Sequence, residues 1–276
     1  MEVWGVLNVT PDSFSDGGRF LALEAALAHA RRMLSEGADV IDVGGASSRP
    51  RGTTYGAGAE DVPAEVELAR VIPVVEGVAR QLGARVSIDT TRGAVADAAL
   101  RAGARIVNDV SMGRDEALLA AVARHGADLV LMHTRGSGEV TSANTAYDDV
   151  VGDVARELRE ACAVALAAGV SSDGLYVDPG LGFAKTAAQS AELLARTGEL
   201  RGLGARVLVG ASRKSFLGVL AERAGARPGP DARLGASLAA AMVAARQGVA
   251  AVRVHDVAQT RQALDVLAAL EACGHA

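Results

Sequence analysis

The feature that most constrains the fold is a regular alternation of short β-rich runs with longer runs of helical period. It occurs eight times, so one unit takes about 34 of the 276 residues, a plausible size for a strand with its crossover helix. The predicted strands are residues 3–9, 40–43, 85–88, 105–107, 129–132, 175–177, 206–209 and 251–254. Unbroken alternation implies parallel strands joined by right-handed crossovers. Eight such units predict an α/β protein with a closed (β/α)8 barrel, a TIM barrel.

The helical stretches fit the same arrangement. They cover residues 21–35, 62–81, 93–102, 115–124, 147–167, 187–197, 232–246 and 257–273, with a further short helix after Ser212. The alternative is an open doubly wound sheet, which would show a GxGxxG sequence after its first strand. Here Thr10, Pro11 and Asp12 follow that strand instead. Because no linker or low-complexity segment interrupts the pattern, we expect residues 1–276 to form a single domain.

Composition and charge exclude several classes of protein. The chain has 28 basic and 33 acidic residues, and this net charge of −5 argues against a dedicated nucleic-acid binder. Cys162 and Cys273 stand in no metal-binding or CxxC spacing, so neither a disulfide framework nor a structural zinc site is predicted. No uncharged apolar run is long enough to cross a membrane, and the first residues lack the pattern of a secretory signal. We therefore expect a cytoplasmic protein.

Every predicted strand ends at or next to a polar side chain. These side chains are Asn8, Asp42, Asp89, Asn108 with Asp109, His133, Asp178, Ser212 with Arg213 and Lys214, and Arg253 with His255 and Asp256. The carboxyl ends of barrel strands meet at one mouth, where the catalytic residues of such barrels lie. A single aspartate in this position is as readily a helix N-cap. Eight converging ends instead predict a polar pocket.

The residue types narrow the ligand of this pocket. Asp89, Asn108 and Asp178 offer hydrogen-bond acceptors and an amide, which suit a planar nitrogen heterocycle with several N–H donors. Cations and the turn at residues 210–215 follow strands seven and eight, where barrels often bind phosphate. The alternatives stay open at this point. The alternative for Arg213 and Arg253 is a surface salt bridge, and the alternative for His255 is a capping or core role.

Two long loops follow the first two strands. Residues 10–18 and 44–56 are rich in glycine and serine, and both would lie over the barrel mouth. Long loops in this place are commonly lids or substrate-binding loops, with an inert surface excursion as the alternative.

Eight segments of the chain, in order, resemble the sequence motifs of the dihydropteroate synthases, a family of pterin-binding barrels. They are residues 5–18, 42–50, 87–90, 107–111, 131–133, 178–186, 210–215 and 253–256. Together they span nearly the whole chain, which makes the resemblance far more specific than a single glycine motif.

The resemblance implies a reaction and a set of site residues. In the family's reaction, 7,8-dihydropterin-6-ylmethyl diphosphate and p-aminobenzoate give 7,8-dihydropteroate and diphosphate. The residues implied to hold the pterin are Asp89, Asn108, Met132, Asp178 and Lys214, and those implied for the diphosphate are Asn8, Arg253 and His255. Asn8 is also the implied ligand of a Mg²⁺ cofactor. The implied p-aminobenzoate pocket consists of Phe14, Ser48, Arg49, Pro50, Phe183 and Ser215, and the implied catalytic residues are Asp16, Arg49 and Lys214. A homodimer is expected because family members commonly form one.

The second loop departs from the family pattern at three positions. Ala46 stands where the family usually has glutamate, Ser48 where many members have threonine, and Arg51 where a glycine is more usual. These departures concern the p-aminobenzoate loop, whereas the implied pterin and Mg²⁺ residues are intact. Three other functions are weighed. They are a paralogue that binds pterin without turnover, a pterin-binding methyltransferase domain, which would need corrinoid machinery that this chain lacks, and an unrelated phosphate-binding barrel lyase, which the full set of motifs does not support.

Overall fold

The predicted alternation is present as a closed barrel of parallel strands. The computed structural model describes residues 1–9, 19–46, 62–136 and 138–273, and for residues 19–21 the backbone alone. Within these ranges the strands are β1 (Glu2–Asn8), β2 (Val40–Gly44), β3 (Arg85–Asp89), β4 (Ile106–Asp109), β5 (Asp128–Met132), β6 (Leu175–Asp178), β7 (Arg206–Val209) and β8 (Ala251–Val254). Each strand pairs in parallel with the next, and β8 pairs with β1. The TIM-barrel prediction is confirmed.

Helices surround the barrel on its outer side. They are α1 (Arg19–Ser35), α2 (Ala64–Glu76), α3 (Gly93–Ala102), α4 (Glu116–His125), α5 (Val150–Ala167), α6 (Ala187–Ala195), α7 (Ser215–Leu220), α8 (Leu234–Arg246) and α9 (Val257–Cys273). The predicted helix 62–81 is wrong in its last turn, because residues 77–81 are wound as a π-helix. The helices predicted at 115 and 147 begin later, at the residues after Asp115 and Asp149, whose carboxylates accept hydrogen bonds from the first-turn amides.

Four of the predicted strands end one or two residues short of the observed strand ends at the mouth, whereas three end where predicted and the first is predicted one residue too long. Asp89, Asp109 and Asp178 are the last residues of their strands, whereas the hydrophobic pattern stops before them. The register explains the difference, since Asp89 pairs with Asn108 and Met132 with Asp178. Backbone pairing thus continues past the last apolar side chain and fixes the polar residues within the sheet.

The barrel interior has an apolar layer below the mouth. It consists of Trp4, Val40, Ile106, Val130, Tyr176, Leu208 and Ala251. The rings of Trp4 and Tyr176 meet edge to face with centroids 5.3 Å apart, and both are almost fully buried. Because side chains alternate along a strand, the residue two positions further on each strand also points inward, one layer nearer the mouth. That layer contains Val6, Asp42, Asn108, Met132, Asp178, Gly210 and Arg253.

Among the described helices, none combines the length and hydropathy needed to span a lipid bilayer.

The apolar layer makes a prediction about stability. Trp4→Ala should lower the free energy of unfolding by about 3–5 kcal/mol, because it leaves a cavity beside Tyr176 that the closed ring cannot collapse to fill. Urea denaturation followed by far-UV circular dichroism measures this change. Val164→Ala on the exposed face of α5 is the control, since Val164 is 56% exposed, and it should stay within about 0.5 kcal/mol of the parent. A loss below about 1 kcal/mol for Trp4→Ala would contradict the packing described here.

Candidate active site

The floor of the mouth is a buried ion-pair network centred on Arg253. Its Nε donates to Asp42 Oδ2 at 2.5 Å, and its Nη2 donates to Asp89 Oδ2 at 2.8 Å. Asp42 is fully buried, and its Oδ2 also accepts from the side-chain amide of Asn108 at 3.4 Å. Arg253 therefore links strands β2, β3 and β8 across the barrel, and Asp42 links it to β4.

Burial and charge shape the protonation of this network. Desolvation raises the pKa of Asp89 from 3.8 to about 7, although the positive charge of Arg253 opposes the shift. Burial opposes the charge on Arg253, but the carboxylates of Asp42 and Asp89 outweigh it and raise the pKa of the guanidinium above its ordinary value. The arginine stays charged, and the network holds a fixed cation between two acceptors.

A second carboxylate–cation arrangement lies between β6 and β7. Asp178 Oδ1 accepts from the Gly180 amide at 2.7 Å. A Cβ atom placed on Gly210 would lie 3.5 Å from Asp178 Oδ2 and 3.9 Å from Lys214 Nζ, so both groups face the same space. Burial raises the pKa of Asp178 and lowers the pKa of Lys214 to about 8. A side chain at position 210 would occupy this space, which gives the glycine a role in leaving the pocket open.

Other predicted site residues border the same pocket. Met132 is buried at the end of β5, and the Lys214 ammonium lies 4.8 Å from the centre of the Phe183 ring. The side-chain oxygen of the exposed Asn8 lies 3.8 Å from the Cβ position of Gly44, which is equally close to Asp89 Oδ2. Asn8 is therefore next to the carboxylate end of the pocket.

His255 and Arg213, both predicted near the ends of the last two strands, differ in the contacts that they make. His255 contacts Ser212, whose Oγ lies 3.0 Å from the imidazole Nδ1 and accepts from the His255 amide at 3.2 Å. Arg213 forms ion pairs with Asp256 and Asp231. The backbone of Arg213 has a φ of 59°, which is a left-handed conformation. A hydrogen bond that its backbone amide donates to Ser237 Oγ helps to hold this conformation. For Arg213 the salt-bridging alternative is the one observed.

Several predicted site residues fall outside the described part of the chain. They are Phe14, Asp16, Ser48, Arg49 and Pro50. Ser215, the first residue of α7, is half-buried and follows Lys214 at the mouth. The structure thus brings Asn8 and Arg253, two of the residues predicted for the diphosphate, next to residues predicted for the pterin.

Two buried carboxylates were given no role by the sequence. Asp42 was predicted near the end of the second strand, at the polar mouth, but without a specific function; it lies in the middle of β2, and the structure makes it the partner of Arg253. Glu67 lies on α2 and is 2% exposed, with Thr90 Oγ and Arg92 Nη1 donating to it at 2.7 and 2.6 Å. One turn further, Arg70 donates to the carbonyl of Gly45 at 2.9 Å. Glu67 therefore connects α2 to the segment after β3, and Arg70 connects α2 to the start of the second loop. No local sequence pattern indicated these contacts.

Comparison with known proteins identifies the family to which this pocket corresponds. The family model described as "Pterin binding enzyme" matches residues 4–255. Dihydropteroate synthase from Mycobacterium leprae is 48% identical over 272 residues, which cover 98% of this chain and 93% of that protein. A probable bifunctional folylpolyglutamate synthase/dihydropteroate synthase from Haloferax volcanii is 44% identical over 264 residues, which cover 96% of this chain but only 30% of that longer protein.

Solved structures give the same result. Xanthomonas albilineans dihydropteroate synthase with 4-aminobenzoic acid superposes with a TM-score of 0.88 at 44% identity, covering 98% of this chain and 93% of that one. The same enzyme in complex with 7,8-dihydropteroate gives a TM-score of 0.85 at 42% identity, covering 98% and 94%.

The Arg253 network makes a prediction about stability and pH. Arg253→Met should lower the free energy of unfolding by about 3–5 kcal/mol, because two buried carboxylates lose their cation. The loss should be larger at pH 8 than at pH 5. With its pKa raised, Asp89 is protonated at low pH in the folded state, and its contribution to stability is lost as the pH rises through about 7. Arg253 partly offsets this loss because its positive charge opposes the rise in the pKa of Asp89, and Arg253→Met removes that charge.

Urea denaturation at both pH values measures the effect. Arg80→Met is the matched control, because Arg80 forms only an exposed ion pair with Glu76 on the outer surface. It should change stability by less than about 1 kcal/mol at either pH. A loss for Arg253→Met that is no larger at pH 8 than at pH 5 would contradict the assignment.

Proposed function

We propose a division of roles among the mouth residues of this chain, which belongs to the dihydropteroate synthases within the family of pterin-binding enzymes. The reaction joins 7,8-dihydropterin-6-ylmethyl diphosphate to p-aminobenzoate and releases diphosphate. One observation carries the proposal: buried carboxylates and an amide line the pocket floor, with cations from the seventh and eighth units beside them.

The pterin is the ligand of the floor. Asp89 and Asp178 accept hydrogen bonds from its N–H groups, Asn108 and Lys214 complete the edge recognition, and Met132 packs against the ring. The inward-facing positions of Asn108, Met132 and Asp178 on neighbouring strands support this assignment. So does the burial of Asp89 and Asp178, because charge-assisted hydrogen bonds are strongest in a desolvated setting. The structure of the Xanthomonas albilineans enzyme with 7,8-dihydropteroate offers further support.

The diphosphate lies toward the first and eighth strands, at Asn8, Arg253 and His255. A guanidinium carries five N–H donors, and Arg253 uses its Nε and Nη2 on the two aspartates, so donors remain for an anion. Asp42 and Asp89 fix the orientation of that arginine before substrate arrives. Such preorganised donors stabilise charge that develops on a leaving group.

The proposed cofactor is Mg²⁺, with Asn8 as its protein ligand. In the described part of the chain no cluster of three or more acidic, histidine or cysteine side chains forms a dedicated metal cage. One amide oxygen at the pocket edge fits an ion that keeps several waters and binds chiefly through substrate phosphates. When bound, Mg²⁺ would withdraw negative charge from the departing diphosphate.

The proposed chemistry is dissociative. The bond between the pterin methylene carbon and the diphosphate oxygen breaks with its electron pair on the departing diphosphate, and positive charge builds up on the methylene group. The aniline nitrogen of p-aminobenzoate forms a bond to that carbon and then loses one proton to the departing diphosphate. No strong general base is needed, because the amine is already neutral at pH 7. Arg253 and His255 hold the leaving group, while Lys214 and Asp178 hold the electron-rich ring in place. Closure of the two long loops excludes water, which would otherwise capture the cation.

The p-aminobenzoate pocket joins the half-buried Phe183 and Ser215 to residues of the two loops. Phe14, Ser48, Arg49 and Pro50 are the proposed loop contributors, and Asp16 and Arg49 act with Lys214 as catalytic residues. The complex of the Xanthomonas albilineans enzyme with 4-aminobenzoic acid supports a site for this substrate.

Three broader assignments belong to the same proposal. Residues 1–276 form one pterin-binding barrel domain, the protein works in the cytoplasm, and two copies form a homodimer. Apolar side chains on the outer faces of the last two helices support the dimer, since Val243, Val266 and Leu270 are 38%, 54% and 64% exposed.

Diphosphate release tests the function directly. Purified protein with the pterin diphosphate and Mg²⁺ should release diphosphate and form dihydropteroate only when p-aminobenzoate is present, and removal of Mg²⁺ with a chelator should abolish turnover. A paralogue that only binds pterin would show pterin affinity by calorimetry without product. That outcome would overturn the proposed function.

Asp178→Asn tests the pterin assignment. The substitution should weaken binding of a pterin analogue by about 1.5–3 kcal/mol, because the amide loses a charge-assisted acceptor and presents donors to the pterin N–H groups. Isothermal titration calorimetry measures this. Asp173→Asn, the same change at an exposed turn, should leave the affinity unaltered. An unchanged dissociation constant for Asp178→Asn would reassign Asp178 to a structural role.

Arg49→Ala tests the second loop. If Arg49 acts once the loop closes, turnover should fall at least about tenfold, equivalent to about 1.4 kcal/mol of transition-state stabilisation. Pterin affinity should change little, because the floor residues hold that substrate. The neighbouring Arg51→Ala is the control and should keep parental turnover. Parental turnover in Arg49→Ala would remove the second loop from the proposed catalytic machinery.

A further inference from the structure

Lys185 is a fully enclosed cation for which the reaction described above has no use. It is 2% exposed, and its Nζ has three acceptors: His133 Nδ1 at 2.9 Å, the Phe183 carbonyl at 3.0 Å and the Gly180 carbonyl at 3.2 Å. Burial lowers the pKa of Lys185 to about 7, and the nearby Asp178 carboxylate opposes the shift. In its charged form the group has three N–H donors, and all of them are used. Burying such a group is costly unless every donor is paired, and here the partners lie on two separate segments.

The bond to His133 defines a chain of contacts that leads to the outside of the barrel. Because Nδ1 accepts from the ammonium, the proton of the neutral imidazole lies on Nε2, which donates to Glu157 Oε2 at 3.0 Å. Arg135 binds the same carboxylate through Nη2 at 2.5 Å. Burial, with the nearby charge of Lys185, lowers the pKa of His133 to about 4 and keeps it neutral. Helix α5 thus anchors the clamp, by which we mean Lys185, His133 and Glu157.

The clamp closes on a loop that does not hold its shape by sheet pairing. After β6 ends at Asp178, the backbone takes positive φ at Gly180, Gly182 and Ala184, with values of 65°, 80° and 49°. For a residue with a Cβ, as at Ala184, this conformation is unfavourable and needs support from its surroundings. The support comes from neighbours: the Ala184 amide donates to Gly138 O at 2.8 Å, and Tyr147 Oη donates to Ala184 O at 3.1 Å.

Phe183 is the side chain that this loop carries into the mouth. Its ring lies under the Lys214 ammonium at 4.8 Å, and its own carbonyl is one of the three acceptors of Lys185. Asp178, by contrast, belongs to strand β6 and pairs in register with Met132. The sheet therefore holds Asp178, whereas the loop after β6 holds Phe183.

We propose that Lys185 is a positioning residue that holds Phe183 in the p-aminobenzoate pocket, with His133 and Glu157 as its anchor. The inference rests on the proposed function, because it assigns Phe183 to that pocket. Loss of the clamp should therefore affect the two substrates differently. It displaces the Phe183 ring, which borders p-aminobenzoate, and leaves the pterin residues on the strands in place.

The composition of the chain supports a requirement for lysine at this place. Only two of its 28 basic residues are lysines, Lys185 and Lys214, and the other 26 are arginines. Elsewhere arginine serves every cationic position. A planar guanidinium cannot direct donors at three acceptors arranged around one nitrogen, whereas a compact ammonium can.

Steady-state kinetics of Lys185→Met tests the proposal. Methionine fills a similar volume without donors. We expect the KM for p-aminobenzoate, measured at saturating pterin diphosphate, to rise at least about tenfold, a change equivalent to about 1.4 kcal/mol. The dissociation constant of a pterin analogue, measured by calorimetry, should change less than about threefold. General damage to the fold would weaken both, so an equal loss of both affinities would overturn the proposal.

A double-mutant cycle with Phe183→Ala shows whether Lys185 acts through that ring. If it does, adding Lys185→Met to Phe183→Ala should raise the KM for p-aminobenzoate by less than about twofold further. Fully additive effects would contradict a shared role.

His133 provides an independent pair of variants if Lys185→Met does not fold. His133→Leu removes the acceptor of Lys185 and should raise the KM for p-aminobenzoate, whereas His133→Asn keeps an oxygen near the Nδ1 position and should restore most of the parental value. The parent enzyme's own turnover tests the proposed function separately. Parental KM values in Lys185→Met and His133→Leu, with turnover intact, would overturn the clamp and leave the proposed function standing.

Discussion

Side chains alternate along every strand of a closed ring, and this parity determines where the polar groups of the barrel lie. The layer that contains Trp4 and Tyr176 fills the interior, so no solvent-filled pore continues below the mouth. Two residues further along, the same strands present Asp42, Asn108 and Asp178. These groups are buried because the apolar layer and the ring of strands surround them. Burial raises the pKa of Asp178, and burial leaves Asp42 dependent on its ion pair with Arg253.

The mouth balances its buried charges internally before any ligand arrives. Arg253 neutralises Asp42 and Asp89, while Lys214 shares its space with Asp178. In a low-dielectric setting a single removal leaves an uncompensated charge, which is why substitutions here affect stability as well as binding. A substrate with a donor-rich ring and an anionic tail is complementary to this arrangement, because the ring faces carboxylates and the tail faces cations. Catalytic geometry and folding stability therefore depend on the same contacts.

Much of this could be predicted from the sequence. Periodicity predicted the barrel, and the strand ends predicted a polar mouth, because both depend on local pattern and on a rule of barrel geometry. Strand ends were placed short at Asp89 and Asp178, since hydrophobicity ceases where backbone pairing continues. The sequence could not distinguish the roles of Arg213 and Arg253, because both lie near the ends of the last two strands. In the structure Arg213 pairs outward with Asp256, whereas Arg253 pairs inward with Asp42. The partners of Lys185 come from segments some 50 residues apart, and no local pattern encodes such a meeting.

The scarcity of lysine has a consequence for chemical labelling. With 26 arginines and two lysines, the chain offers few side-chain amines to acylating or aldehyde reagents, because guanidinium groups do not react with them at neutral pH. Lys185 is enclosed, whereas Lys214 is half-buried at the mouth, where burial lowers its pKa to about 8 and leaves an appreciable fraction of the amine unprotonated. A reagent selective for lysine thus has two side-chain targets in this protein, and of the two only Lys214 is accessible to solvent.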